Sequence, residues 1–116
     1  MLLENELRQM EYVNQSFCDL FGIDAKPEFL IGMDCSQAAE LNKVLFIDEE
    51  AFVSGINELL KNKVRVVGET LQMKSGKVLL RDYIPIFKGD VYVGHMWTYK
   101  DFTETYELNR KLESQK

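Results

Sequence analysis

The stretch that decides the fold is Gly89–Glu104, which reads GDVYVGHMWTYKDFTE. Val91, Val93, Trp97 and Tyr99 are strand-forming residues at alternating positions, and a period of two is typical of a β-strand with one buried face. The glycine and aspartate that open the stretch are common turn residues. We therefore predict a turn followed by a strand that runs almost to the end of this stretch.

The same stretch closes with the start of a helix. Asp101 can accept a backbone N–H as an N-cap, and Glu104, three residues later, can reach back to complete a capping box. The following residues are mostly polar, so we expect a helix that leaves the domain body. A strand joined directly to an outgoing helix suits the transfer of a conformational change, and we assign signal transmission to Asp101, Thr103 and Glu104.

Two more strands precede this one, and turn sequences separate all three. Residues 64–73 and 77–87 flank Lys74-Ser75-Gly76, which is a hairpin signal. Lys88-Gly89-Asp90 gives a second hairpin before the last strand. The pattern therefore predicts three consecutive antiparallel strands.

Helices come before these three strands. Asp48 is an N-cap candidate for the longest helix, Glu49–Lys61, in which apolar residues recur at helical spacing. The other predicted elements are two strands, at residues 1–4 and 8–13, and short helices that begin at Asn14, Pro27 and Asp34. This order predicts an α+β fold with helices on one face of an antiparallel sheet.

Four segments together resemble PAS sensor domains, and they occur in the order and spacing of that family. They are Tyr12–Phe17, Leu30–Met33, Ser75–Lys77 with Arg81–Ile86, and Gly94 with Asp101–Glu104. The resemblance implies a PAS-like five-stranded antiparallel sheet of order 2-1-5-4-3 with short helices on one face. It divides the chain into a PAS sensor domain, residues 1–102, and a truncated C-terminal signalling helix, residues 103–116.

The resemblance also implies a function. PAS domains are sensory or regulatory modules of bacterial signal-transduction proteins, so a downstream effector in the same polypeptide is expected, either a histidine kinase or a cyclic-dinucleotide enzyme such as a diguanylate cyclase. The domain itself is not expected to be an enzyme. PAS domains usually carry glycine in the turn between the first two strands, and Arg8 stands near that position here.

The composition is that of one soluble domain. The chain has 116 residues, 46% of them hydrophobic, and a net charge of −5, which fits a single domain. An acidic chain is a poor ligand for nucleic acid, which binds basic surfaces. No stretch approaches the roughly 18 apolar residues that a membrane span needs, so we expect a cytoplasmic segment that does not insert into a membrane.

Cysteine and histidine usage bears on cofactors. Cys18 and Cys35 are expected to be free thiols in a reducing compartment, with a disulfide between them as the alternative. Cys35 stands where flavin-binding PAS domains keep their reactive cysteine, but the Arg-Phe-Leu-Gln that follows it in those domains is replaced here. Haem-binding PAS domains take a histidine from the long helix, and Glu49–Lys61 has none. We therefore predict neither flavin nor haem, and no metal site, since His95 is the only histidine.

A small organic ligand is the remaining possibility for the interior. Trp97, Tyr99 and His95 share one face of their strand, and with Phe46, Phe52, Ile56 and Tyr83 they predict a site between sheet and helices; core packing is the alternative for these aromatic residues. Arg81 is the candidate to clamp an organic acid. Its alternative is a cross-strand pair with Glu69 at the sheet surface.

Three functions remain open from the sequence. The first is sensing of a small molecule or of dimer geometry, and the second is a ligand-free PAS module that only dimerises or binds proteins. Leu108 and Leu112 are four residues apart, so they share a helix face and predict a homodimer seam. The third is a small α+β enzyme that uses His95, Asp82 and Tyr83 for proton transfer.

Overall fold

The computed structural model describes residues 1–114, in which a five-stranded antiparallel sheet carries helices on one face. The strands are β1 (Leu2–Asn5), β2 (Met10–Val13), β3 (Val66–Gln72), β4 (Val78–Lys88) and β5 (Val91–Asp101). The helices are α1 (Gln15–Leu20), α2 (Cys35–Asn42), α3 (Glu49–Asn62) and α4 (Thr103–Ser114), and single 3₁₀ turns cover Pro27–Phe29 and Lys43–Leu45. The strand order is β2-β1-β5-β4-β3, so the predicted α+β architecture and sheet order are confirmed.

Local side-chain caps set the starts of three helices. The side chains of Asn14, Asp34 and Asp48 accept the backbone N–H of a residue in the first turn of α1, α2 and α3, respectively. Each cap satisfies a donor that the helix itself leaves without a partner. The predicted cap at Asp48 and the predicted helix starts at Asn14 and Asp34 are confirmed.

A close approach of two strands fixes the centre of the sheet. Strand β1 pairs with β5 so that Glu4 lies opposite His95 and Asn5 opposite Gly94. A side chain at Gly94 would overlap the carbonyl oxygen of Glu4. Glycine at this position is therefore a condition for the pairing of β1 with β5.

Two strands begin two residues later than predicted. Strand β2 begins at Met10, two residues later than expected, because Arg8 adopts a left-handed conformation with φ 63° in the turn. Strand β3 begins at Val66 rather than residue 64, because Lys63 ends α3 in the same left-handed conformation. In both places a turn takes residues that the hydrophobic pattern assigned to a strand.

The core lies between the sheet and α1, α2 and α3. Its largest buried side chains come from both layers, and Phe46 stacks on Phe52 with ring centroids 4.1 Å apart. Cys18 and Cys35 are both buried and unpaired. Among residues 1–114, no helix is both long and apolar enough to cross a membrane.

Candidate functional site

A cavity of about 180 Å³ lies between the inner face of the sheet and the helices. Four residues predicted for a ligand site line it: Phe52 and Ile56 from α3, and Trp97 and Tyr99 from β5. Apolar residues from the other elements complete most of the wall, among them Leu2, Met10, Phe17, Phe21, Ile23 and Leu30. Burial raises the pKa of the Tyr99 hydroxyl to about 12, so this group stays neutral at the cavity wall.

The polar end of the cavity is built around Glu4. This carboxylate is buried, yet it also lines the cavity, together with Arg8. Its Oε1 atom lies 3.1 Å from Nε of Arg8 and 2.7 Å from Nε2 of His95. Its Oε2 atom accepts a hydrogen bond of 3.0 Å from Nε1 of Trp97. Buried charge is stable only when it is paired and hydrogen-bonded in this way.

The environment of Glu4 favours its charged form. Burial alone would raise the pKa of the carboxyl, but the hydrogen bond from His95 and the charge of Arg8 outweigh it, and the pKa is lowered. An ionised Glu4 accepts a hydrogen bond from Nε2 of His95, and Nδ1 of the same ring is hydrogen-bonded to the hydroxyl of Tyr92. The hydroxyl oxygen of Tyr83 lies 3.5 Å from the hydroxyl oxygen of Tyr92.

Two of the predicted ligand residues, Tyr83 and His95, therefore belong to a hydrogen-bonded network behind the cavity and do not line it. His95 is a hydrogen-bonded strand residue, as the more conservative interpretation of the sequence held. Phe46 also lies outside the cavity wall, where it packs against Phe52. The structure thus separates the predicted set into a lining group and a supporting group.

Arg81 is buried beneath α3. Its Nη2 atom lies 3.3 Å from Oε1 of Glu69, the residue opposite it in the sheet register. The predicted pair is present, but its predicted place at the sheet surface is wrong, because the side chain of Arg81 is only 2% exposed. Gly55 of α3 lies directly above it, where a Cβ would be in ordinary contact with Nη2 at 3.4 Å.

The guanidinium of Arg81 also packs on the core. Its central carbon lies 5.7 Å from the ring centroid of Trp97, a distance at which cation and aromatic ring attract each other. Within residues 1–114, Nε and Nη1 of Arg81 have no hydrogen-bond partner. Arg81 does not line the cavity, so its contact with any bound molecule would run through Trp97 or Tyr99.

The three residues considered for proton transfer are not brought together. Asp82 points to the opposite face of β4 from Tyr83, where it accepts hydrogen bonds from Thr98 and from the backbone of Gly68. His95 and Tyr83 lie on the inner face. No shared site for these three side chains exists in this arrangement.

The junction between β5 and α4 is tied to β4. Asp101 accepts hydrogen bonds from both the N–H and the hydroxyl of Thr103, at 3.0 and 2.6 Å. The same hydroxyl of Thr103 accepts from the N–H of Val78 at 2.9 Å, and Phe102 donates its N–H to the carbonyl of Val78 at 2.8 Å. The start of α4 is therefore fixed to the start of β4 by backbone and side chain together.

The predicted capping box is wrong in one half. Asp101 does accept the N–H of the first helical residue, and these bonds lower the pKa of its carboxyl. Glu104, however, is exposed and makes no hydrogen bond within residues 1–114. The second partner of the Asp101 carboxylate is the hydroxyl of Thr103, so the side chain of Thr103, and not that of Glu104, completes this helix start.

Comparison with known proteins places the fold. No family model and no curated protein matches the chain. The sensor region of a sensor histidine kinase superposes with a TM-score of 0.68 at 16% identity, covering 90% of this chain and 40% of that one. A crystal structure of a domain of an HTR-like protein from Haloarcula marismortui superposes with a TM-score of 0.57 at 18% identity, covering 88% of this chain and 95% of that one.

This chain has a PAS-like sensor-domain fold. The shared topology extends over nearly the whole chain, although the chain spans only 40% of the histidine kinase sensor region. In PAS-like terms, Arg8 occupies the turn position usually held by glycine, and it does so in the left-handed conformation that favours glycine.

Two groups on the cavity wall of this PAS-like domain, the thiol of Cys35 and the amide of Asn42, bear on the expectation about flavin. Cys35 lines the cavity, but burial and the nearby Glu4 carboxylate raise the pKa of its thiol well above the ordinary value. Asn42 supplies the one side-chain amide among the described lining residues, whereas a flavin edge needs several hydrogen-bonding partners. The expectations about flavin, haem and metal stay predictions.

Sequence reasoning missed Glu4 and Arg8 as site residues. Leu2 and Glu4 both face the interior from β1. The signal available in the sequence was therefore a carboxylate two residues after an inward apolar residue. Its partner His95 lies 91 residues away, and nothing local connects the two.

Proposed function

We propose that this chain is a sensory domain of a signal-transduction protein, in which a small organic molecule occupies the cavity and the effect passes along β5 into α4. The observation that carries this proposal is that one strand, β5, contributes both to the cavity wall and to the start of α4. Trp97 and Tyr99 line the cavity, and Asp101 at the end of the same strand holds Thr103, the first residue of α4. The sensor region of a sensor histidine kinase, which has the same fold, supports this proposal.

The geometry supplies a route for the signal. Tyr99 lies two residues before Asp101, so a displacement of the Tyr99 ring moves the backbone that carries the junction. Val78 holds that junction from the neighbouring strand through Thr103 and Phe102. A shift of β5 against β4 therefore changes the direction in which α4 leaves the sheet.

The parent protein follows from the same proposal. We infer a cytoplasmic module that works as a homodimer and controls an effector in the same polypeptide, a histidine kinase or a cyclic-dinucleotide enzyme. Support comes from α4, whose Leu108 and Leu112 are both more than half exposed and lie four residues apart. Such a pair on one helix face suits contact with a second helix.

A ligand-free dimerisation module is the second candidate, and the same exposed pair favours it. The two candidates differ in what the cavity does. In the second, filling the cavity leaves the output unchanged, whereas loss of the Leu108–Leu112 surface abolishes it. Analytical ultracentrifugation of Leu112→Glu, beside Glu113→Gln as a control on the same helix, measures the contribution of that surface.

The experiment for the proposed function uses the parent protein. Native mass spectrometry of the freshly purified protein identifies a co-purified small molecule and the number of subunits. Thr103→Ala should then uncouple the output from the signal while the fold stays intact by circular dichroism, and Thr105→Ala, an exposed threonine one half-turn on, should behave like wild type. Normal switching in Thr103→Ala would contradict transmission through this junction.

A further inference from the structure

We propose that the cavity selects a neutral, single-ring molecule that carries one O–H or N–H donor directed at Glu4. This inference rests on the proposed function, because it names the chemical class of molecule that the sensory cavity accepts. It follows from three properties of the cavity wall: its size, its charge balance and the spare acceptor capacity of Glu4.

The size of the cavity admits one ring. Its volume is about 180 Å³, and an engineered apolar cavity of roughly 150 Å³ is known to hold a benzene molecule. Aromatic side chains surround the space on several sides, including Phe17, Phe21, Phe52 and Trp97. Aromatic rings pack favourably edge-to-face or offset against one another, so a flat ring is the shape that this wall suits.

The charge balance excludes an ionised ligand. Among the described residues that line the cavity, Glu4 and Arg8 carry the charges, and they pair with each other at 3.1 Å. A ligand carboxylate would either remain unpaired in an apolar space or take Arg8 from Glu4, and each alternative leaves a buried charge uncompensated. Arg81, the other buried cation, is outside the wall and paired with Glu69.

The hydrogen-bond inventory of Glu4 defines the polar group of the ligand. Within residues 1–114, Oε1 already has two neighbours, Arg8 and His95, whereas Oε2 accepts from Trp97 alone. A carboxylate oxygen can accept two hydrogen bonds, so Oε2 has room for one more donor. A hydroxyl or ring N–H on the ligand would fill this place without adding charge.

Trp97 provides a readout that is specific to this site. It is the only tryptophan of the chain, it lines the cavity, and it donates to the same carboxylate oxygen. Its fluorescence, excited at the red edge of tryptophan absorption, should therefore change when a molecule enters. The probes are p-cresol, toluene and benzoate, which have similar size and differ in carrying a donor, no polar group and a charge, respectively.

For the wild-type chain, the dissociation constants from fluorescence titration should rank p-cresol tightest. Toluene should bind about tenfold or more weaker, because a hydrogen bond to a charged group contributes that much, and benzoate should not bind measurably. Ala39→Leu, which places three carbons into the wall, should abolish binding of all probes. Ala51→Leu, the same change at an exposed position of α3 away from this cavity, should bind them normally.

Glu4→Gln tests the hydrogen bond from the donor group of the ligand to the carboxylate of Glu4. It should weaken p-cresol toward the affinity of toluene and leave toluene binding unchanged, and the toluene titration also verifies that the cavity of this variant is intact. Should the variant fail to fold, the wild-type ratio of p-cresol to toluene carries the test alone.

Three different results would overturn the inference in part or as a whole. Equal affinities for p-cresol and toluene, both lost in Ala39→Leu, would overturn the donor assignment and leave the sensory cavity standing. Tighter binding of benzoate than of p-cresol would overturn the proposal that the ligand is neutral. No response to any probe would overturn the inference, whereas the proposed function is judged separately by the co-purified molecule and by the output of Thr103→Ala.

Discussion

The segment of strand β5 from His95 to Asp101 is fastened to a neighbouring strand at both of its ends, and the two attachments differ in their exposure to water. At its first end, in the middle of β5, His95 and Trp97 bind the buried carboxylate of Glu4 in β1. At its second end, Asp101 and Thr103 bind each other and the backbone of Val78 in β4, close to solvent. A buried attachment is costly to break and an exposed one is cheap, so this segment has a fixed end and an adjustable end. The proposed signalling role uses both.

The largest expected effect is at the fixed end. Glu4→Ala leaves Arg8, the N–H of Trp97 and one nitrogen of His95 without their acceptor, and it should lower the free energy of unfolding by about 3–5 kcal/mol, as for other broken buried pairs. Urea denaturation measures this. Glu6→Ala, an exposed glutamate in the following turn, should stay within about 0.5 kcal/mol of wild type. Equal urea midpoints for Glu4→Ala and Glu6→Ala would mean that the buried attachment is no costlier to break than a contact at the surface.

The next effect concerns the strand contact beside that cluster. Gly94→Ala forces a side chain against the carbonyl of Glu4, and we expect a loss of roughly 1–3 kcal/mol or more, as for other overpacked sites. Gly68→Ala is the matched control. Gly68 has φ 76° and open space around it, so its substitution should carry only the backbone strain, about 1 kcal/mol. A Gly94→Ala variant no less stable than Gly68→Ala in the same denaturation series would contradict the close approach of β1 and β5.

A smaller loss is expected at the adjustable end. Thr103→Ala removes the hydroxyl that bonds Asp101 and Val78, and a helix-start residue of this kind contributes about 0.5–2 kcal/mol. Thr105→Ala should be neutral within about 0.5 kcal/mol. Thermal unfolding of both variants measures the difference. A Thr103→Ala loss as large as that of Glu4→Ala would mean that both ends are fixed.

The smallest effect is a pH dependence at Asp101. Its folded-state pKa is lowered from 3.8 by the bonds from Thr103, so the stabilisation it provides is complete above about pH 3.8 and is lost as the pH falls through the folded pKa. The group is exposed, so solvent screening limits the effect to a few tenths of a kcal/mol. The stability difference between wild type and Asp101→Ala should therefore shrink in acid. A difference that grows as the pH falls would reverse the assigned sign.

The sequence predicted the local parts of this molecule well. Asp48 was identified as a cap, and Asn14 and Asp34 as helix starts, because a helix start depends on residues within one helical turn. Gly76 and Gly89 marked the hairpins that join β3, β4 and β5, and each has a positive φ. The resemblance to PAS domains supplied the place of β1 between β2 and β5, which no local pattern specifies.

The site was predicted only in part because its polar half depends on contacts across the chain. Phe52, Ile56, Trp97 and Tyr99 follow from which faces of a helix and a strand are apolar. The network of Glu4 depends on β1 lying beside β5, and only then does its carboxylate meet His95 and Trp97. The same limit explains the capping box, since the hydroxyl of Thr103 binds both Asp101 and the backbone of Val78 in β4, and that contact is invisible in the sequence around Glu104.

The central claim is that the cavity and the start of α4 are coupled through β5. Hydrogen–deuterium exchange of the chain tests it most directly, with Ala39→Leu as a permanently filled cavity and Ala51→Leu as its control. We predict slower exchange of the Val78 and Phe102 amides, which bond across the junction, in Ala39→Leu alone. Unchanged exchange at both amides, with protection confined to residues that line the cavity, would contradict the claim.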